Sequence, residues 1–304
     1  MPSMKRLFTA ALVLGALGAG AFWVLTAPDP LAAAALPNRQ PDIANGERIF
    51  WTGGCASCHA AKGAKDAEKL KLGGGQAFDT PFGRFVAPNI SPDETNGIGR
   101  WSALDLANAM TRGVSPDGRH YYPAFPYASY ARMKLDDVVD LAGYLKTLPK
   151  IADAAPPNQL SFPFNIRRGV GLWKRLYLDP SPVVALTAPA EVARGRYLVE
   201  GAGHCGECHT PRNPIGGPDR SRWLAGAKAL EGDGKVPNIT PDAGALGKWS
   251  AGDIAYYLES GLTPDGDSVG GAMTSVVDNM SHLPKEDRAA IAAYLKAIPP
   301  KPKL

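Results

Sequence analysis

Cys55-Ala-Ser-Cys-His59 and Cys205-Gly-Glu-Cys-His209 are the stretches whose reading decides the fold of this 304-residue chain. Both fit C-x-x-C-H, in which two thiols can add to the vinyl groups of a haem while the adjacent imidazole reaches the iron. The chain has four cysteines, and the two motifs use all of them. A lone C-x-x-C is also a redox pair or half a zinc site, and two could make one four-thiolate centre or two disulfides. Here each motif carries its own histidine and the copies start 150 residues apart, Cys55 against Cys205, whereas a zinc knuckle gathers its ligands within a few tens of residues. The expectation is two covalently bound haem c groups. Cys55, Cys58, Cys205 and Cys208 are then the thioether anchors, and His59 and His209 the axial iron ligands.

The segments around the motifs repeat each other. Asn89-Ile-Ser-Pro-Asp93 returns as Asn238-Ile-Thr-Pro-Asp242, Trp101-Ser102 as Trp249-Ser250, and Ser115-Pro-Asp-Gly118 as Thr263-Pro-Asp-Gly266. Tyr144-Leu-Lys-Thr-Leu-Pro149 returns as Tyr294-Leu-Lys-Ala-Ile-Pro299. Order and spacing are kept almost without slippage, the mark of a tandem duplication. Each copy reads as mostly helical. A short helix leads into each motif, from Asn45 to Trp51 and from Pro189 to Val199. A middle helix starts at the Ser102 and Ser250 caps, with Asp105 and Asp253 in its first turn. A last helix, carrying Leu135, Val138, Val139 and Leu145 in one copy and Ile291 and Leu295 in the other, is stopped by Pro149 and Pro299. The Gly/Pro-rich loop between the first two helices is long for so small a unit unless a cofactor fills the core.

Length and composition set the frame: 45% hydrophobic and 20% charged residues read as globular. A net charge of +4 without a Lys/Arg cluster speaks against nucleic acid. At the N-terminus, Lys5 and Arg6 precede an uncharged apolar run from Leu7 to Ala27, a length that favours a retained membrane anchor over a removed signal peptide. The positive-inside rule then puts everything after Pro28 on the periplasmic side of the inner membrane, or free in the periplasm if the segment is cleaved at the alanines 32 to 35. The expected layout is anchor 1–30, first haem domain 42–152, linker 153–188 and second haem domain 189–300. Phe162, Phe164, Trp173 and Tyr177 suggest that the Pro-rich linker packs on something.

The order of C-x-x-C-H, Phe78–Asp93 (FDTPFGRFVAPNISPD), Gly97–Ser102 (GIGRWS), Gly113–Tyr127 (GVSPDGRHYYPAFPY) and a terminal helix resembles the cytochrome c subunits of membrane-bound bacterial alcohol, gluconate and related dehydrogenases. The resemblance covers roughly residues 42 to 300. Those subunits usually carry three such domains and this chain two. The resemblance implies an all-α fold of two tandem class I cytochrome c domains with His/Met ligation. It also implies that electrons pass from a partner dehydrogenase subunit toward quinone or a terminal oxidase or cytochrome.

In such domains a thioether from the loop before the last helix faces the histidine across the iron. Met273, in Gly-Gly-Ala-Met-Thr, meets that description for the second haem, and Met280 reads as a core residue. For the first haem, Pro123 aligns with Met273, and Phe125 stands where related cytochromes have Met. Met133 is preferred as sixth ligand although it aligns with Leu283, and His120 or an open iron are the alternatives. His204 and His282 read as structural or exposed. Trp101 and Trp249 could shield haem edges or anchor the core. Asn89, Asn238 and Arg84 could approach propionates, with turn chemistry and solvation as their plain readings. The leading function is an electron carrier. A peroxidase-like diheme enzyme with an open first haem is the alternative, and a thiosulfate-oxidising cytochrome lacks its fifth cysteine. A protein with neither haem, holding another metal or disulfides, is the third class.

Overall fold

The computed structural model describes residues 3–229 and 234–302. Helix α1 (Met4–Leu25) buries none of its residues. Among the described residues it is the single helix long and apolar enough to cross a bilayer. A tether follows, and then two helical groups in the same order. The first contains α2 (Ile43–Thr52), α3 (Cys55–His59), α4 (Ala103–Ala107), α5 (Tyr127–Tyr130) and α6 (Leu135–Leu145). Between the groups lies α7 (Val170–Tyr177), and the second contains α8 (Ala190–Tyr197), α9 (Gly206–His209), α10 (Ala251–Ser260), α11 (Met273–Met280) and α12 (Lys285–Ala297).

Local chemistry sets the boundaries. Asp42 caps α2 by accepting from the Asn45 N–H, while Ser102 with Asp105 and Ser250 with Asp253 form reciprocal capping boxes at α4 and α10. Pro189, expected as the first helical residue, stands instead at the N-cap of α8, one position ahead of Ala190. The long loops are not structureless. In the first, β1 (Ala77–Thr80) and β2 (Gly83–Val86) form a hairpin, to which β3 (Gln159–Leu160) of the linker adds a third strand. In the second, β4 (Ala227–Lys228) pairs with β5 (Lys235–Val236).

In each group the leading helix crosses the last, α2 on α6 and α8 on α12. Glycine makes both crossings possible. A Cβ on Gly46 would overlap the Asp140 carbonyl and lie 2.8 Å from Tyr144 Cβ; one on Gly195 would overlap the Ala290 carbonyl and lie 2.8 Å from Tyr294 Cβ. Polar side chains lock the same crossings: Asn45 donates to Asp137 at 2.7 Å, and Arg194 reaches both carboxylate oxygens of Asp287 at 2.8 Å. Around them Phe50, Val138, Leu141, Leu198, Ile291 and Tyr294 are fully or almost fully buried, and both groups share one continuous apolar cluster.

Because backbone of α12 is what an added methyl meets, Gly195→Ala is expected to cost about 2–4 kcal/mol, the range of severe overpacking. Denaturant unfolding checks this. A change below about 0.5 kcal/mol, the ordinary surface effect, would show that the crossing yields freely.

Candidate functional site

Each C-x-x-C-H segment folds into one tight turn of helix, α3 and α9, which brings the thiols and the imidazole together. Gly54, with φ +58°, turns the chain into the first; in the second His204 takes the comparable left-handed φ of +39° without being glycine. None of the four cysteines forms a disulfide, and Cys58 and Cys208 are exposed. Among the described residues, no three or more Cys, His, Asp or Glu side chains gather at a metal-sized point. Burial pushes the Cys55 and Cys205 thiols up to about 12, far from the low values of reactive redox pairs.

The two histidines are held alike. His59 Nδ1 lies 2.8 Å from the Pro88 carbonyl, and His209 Nδ1 lies 2.7 Å from the Pro237 carbonyl. A carbonyl can only accept, so Nδ1 carries the proton and Nε2 keeps its lone pair. Burial holds both imidazoles below the ordinary histidine pKa, against a smaller upward pull from those carbonyls. A neutral imidazole with Nε2 free is what iron ligation requires. The repeated Pro-Asn-Ile-Ser/Thr-Pro-Asp stretch therefore works through its first carbonyl, which the sequence reading passed over.

Its asparagines do turn and staple work. Asn89 accepts from the Ser91 N–H and donates to the Ile151 and Asp153 carbonyls; Asn238 accepts from the Thr240 N–H and donates to the Lys301 carbonyl. Arg84 pairs with Asp79 across the exposed hairpin. Trp101 and Trp249 are half-buried against the core, and Trp249 stacks edge-on to Tyr257 at 5.5 Å.

The candidate sixth ligands differ in setting. Met273 opens α11 and is half-buried, whereas Met280 at the other end of that helix is core. The stretch expected as a loop is thus a helix. Met133 is buried in the core at the end of a turn closed by its N–H on the Tyr130 carbonyl, and Leu283 sits in the same way on the Met280 carbonyl. His120 is also buried, with Nε2 2.8 Å from the Thr26 carbonyl just beyond α1, while its Nδ1 has no hydrogen-bond partner.

The two motifs face each other through reciprocal contacts. Asn279 of α11 donates to Ser57 Oγ of the first motif at 2.7 Å, and Ser129 of α5 donates to Glu207 of the second at 2.5 Å. Ser57 and Glu207 are 150 residues apart, as are Ser129 and Asn279, so the contact relates the groups by an approximate two-fold. His204 Nε2 lies 3.1 Å from the Gly53 carbonyl, and Tyr130 meets His204 edge-on at 5.5 Å. His282 stacks on Trp51 with ring centroids 3.8 Å apart.

Comparison with known proteins agrees with this geometry. A cytochrome c family model matches residues 43–149, and a diheme cytochrome c-type protein of Cereibacter sphaeroides is 54% identical over 300 residues, 97% of this chain and 99% of that one. The chain belongs to the cytochrome c family. Membership brings haem c as the cofactor and electron transfer as the general activity. This cytochrome is also similar to the fructose dehydrogenase cytochrome subunit of Gluconobacter japonicus, 37% identical over 91% of this chain and 55% of that one. The gluconate 2-dehydrogenase cytochrome c subunit of Pantoea cypripedii is 34% identical over 88% of this chain and 63% of that one. This cytochrome therefore spans little more than half the length of those dehydrogenase subunits.

Proposed function

We propose that this cytochrome carries two covalently bound haem c groups in tandem domains, residues 42–152 and 189–300. In this reading it is held by α1 to the periplasmic face of the inner membrane and passes electrons from a partner dehydrogenase to a quinone or oxidase of the respiratory chain. The observation that carries the reading is the matched pair of histidines, each with Nδ1 committed to a proline carbonyl. His59 and His209 are then the proximal ligands, and Cys55, Cys58, Cys205 and Cys208 the anchors. Haem c, when bound, supplies a one-electron iron couple. The chain's own contribution is to orient both imidazoles and to bring the two motifs together through Ser57–Asn279 and Ser129–Glu207. The dehydrogenase partner is suggested by the similar subunits, which serve a fructose dehydrogenase and a gluconate 2-dehydrogenase.

Met273 is the proposed sixth ligand at His209, supported by its half-buried place at the start of α11 while Met280 fills the core. Met273→Leu should lower the reduction potential of one haem by roughly 100 mV, a modest part of the ~0.8 V that axial ligands span, and leave the other unchanged. A spectroelectrochemical titration with two unshifted potentials would remove Met273 from the ligand set.

A second reading concerns the first haem. Met133 remains the proposed thioether partner of the His59 iron, but its packing as the counterpart of Leu283 favours a core role, and Phe125 occupies the position of the usual Met. An iron there without a sixth protein ligand would suit a peroxidase-like activity. The optical spectrum separates the two: two Met-to-ferric-iron bands per chain support the pure carrier with Met133 ligated. One band, a high-spin ferric signal and peroxide turnover support the enzyme.

A further inference from the structure

The segment between the two helical groups carries a surface that electron transfer leaves unexplained. Phe162, Phe164, Ile166, Leu172 and Leu176 are all exposed, Phe162 at 77% and Leu176 at 68%, and Ile215 joins them from the second group. They form one surface. Phe164 packs edge-on against Phe82 at 5.0 Å, the Phe82 ring lies 3.3 Å from where a Cβ on Gly216 would stand, and Trp173 donates to the Ile215 carbonyl. Leu172 and Leu176 stand four apart on the outer face of α7, while Val170, Gly171 and Lys174 form its buried face. Lys174 fastens that inner face by donating to the Arg112 and Gly113 carbonyls at 2.6 Å.

This surface adjoins the end of α1. Arg168 donates to the Trp23 carbonyl and to Thr26 Oγ1, with its guanidinium 4.2 Å from the centre of the Trp23 ring. Arg175 donates to the Leu25 carbonyl at 2.5 Å, and His120 Nε2 meets the Thr26 carbonyl. Arg168 and Arg175 thus cover the Trp23 and Leu25 carbonyls left over at the C-terminus of α1, where the helix dipole is negative. A 22-residue helix is about 33 Å long, enough for a hydrocarbon core of about 30 Å. Trp23, two residues from its end, therefore sits at interface depth, where tryptophan is favoured, and α7 is pinned beside it. From Ala154 to Leu178 the chain holds Arg167, Arg168, Lys174 and Arg175 and no acid, a charge that complements lipid phosphate. Folded domains of this size translocate regardless of their charge, so these cations do not conflict with an outside location.

We propose that residues 162–177, with Ile215, form a second membrane contact. In it α7 lies in the headgroup layer of the outer leaflet, its leucines and phenylalanines enter the acyl boundary and its arginines meet phosphates, as amphipathic interfacial helices do. This inference rests on the reading of α1 as a retained membrane span. The contact fixes the height and tilt of both haem domains above the bilayer, which a flexible tether alone would leave free.

The test uses the full holoprotein in nanodiscs containing a phosphatidylcholine with a photoactivatable group on its acyl chain. After illumination, lipid adducts are located by peptide mass spectrometry. Adducts in both α1 and 162–177 are expected, and Leu172→Asp with Leu176→Asp should reduce those in 162–177 about tenfold while leaving α1 labelled. Both leucines are exposed, so the variant keeps its fold, and an unchanged haem spectrum checks that. Labelling of α1 without 162–177 in the parent protein overturns the contact and leaves the anchor standing, the outcome if a protein partner covers this face. Labelling of 162–177 without α1 keeps the contact and overturns the anchor. Labelling of neither overturns both.

Discussion

Cys205→Ala with Cys208→Ala is expected to lower covalently bound haem from two groups per chain to one, and Cys55→Ala with Cys58→Ala to do the same at the other motif. The argument is geometric. Each thiol pair shares a single turn of helix with its own histidine, and each histidine has its own proline carbonyl 28 or 29 residues further along. In the proposed reading each site takes its thiol anchors and its histidine from its own half, so losses should be independent in number. They should not be independent in stability. A group bound only by the folded state stabilises it by mass action, and the motifs interlock through Asn279–Ser57 and Ser129–Glu207. Losing one haem should thus lower the unfolding temperature of the half that keeps its own. Haem staining after denaturing electrophoresis, pyridine haemochrome absorbance per chain and a thermal melt read the three quantities. A double variant that keeps two haems, or loses both, contradicts separate sites.

The features legible in the sequence are those whose cause is local. The capping boxes of Ser102 and Ser250 need only an Asp three residues on, and both form. The C-x-x-C-H turns and the terminal helices stopped before Pro149 and Pro299 are of the same kind. What stayed hidden depends on partners far along the chain. Gly46 and Gly195 look like helix weaknesses until Asp140 and Ala290, about 95 residues away, press their backbones against them. His204 and His282, read as plain structural or exposed residues, join the two halves through Gly53 and Trp51. Two π-type segments, Asn108–Arg112 after α4 and Leu198–Ala202 between α8 and the second motif, are announced by no periodicity. The stretch around Met273 has glycines that read as loop, yet Thr274 to Met280 pack as a helix against the first motif. The linker's aromatics did signal packing, but their partners, Phe82 for Phe164, Tyr127 for Trp173 and Asn213 for Tyr177, lie 36 to 82 residues away along the chain.

Glu200→Ala is expected to cost about 3–5 kcal/mol, the usual penalty for removing one partner from a buried charged or hydrogen-bonded cluster. Glu200 is 1% exposed. It accepts from the Val183 and Val184 N–H groups at 2.7 and 3.0 Å and from the Tyr294 hydroxyl at 2.5 Å. It thereby ties the end of the linker to the last helix beside the second motif. Alanine leaves the buried Tyr294 hydroxyl and the half-buried Val183 and Val184 amides without this acceptor. The equivalent position of the first half shows what the residue is for. Phe50 stands there, fully buried, with its ring 5.4 Å from that of Tyr144, an apolar contact in place of the carboxylate's hydrogen bonds. Tyr294 is the counterpart of Tyr144, and burial beside Glu200 raises its pKa well above the ordinary phenol value, so it remains a donor throughout the accessible pH range. Glu200→Gln keeps one carbonyl acceptor and should cost only about 1–2 kcal/mol, since roughly one hydrogen bond of net value is lost. At about 2–4 °C per kcal/mol for a chain of this class, the alanine variant should melt about 10 °C lower and the glutamine variant a few degrees lower. Calorimetry of the holoprotein decides. Equal melting of both variants would mean that the linker amides find water instead, and that the second half does not depend on this carboxyl group to hold the linker in place.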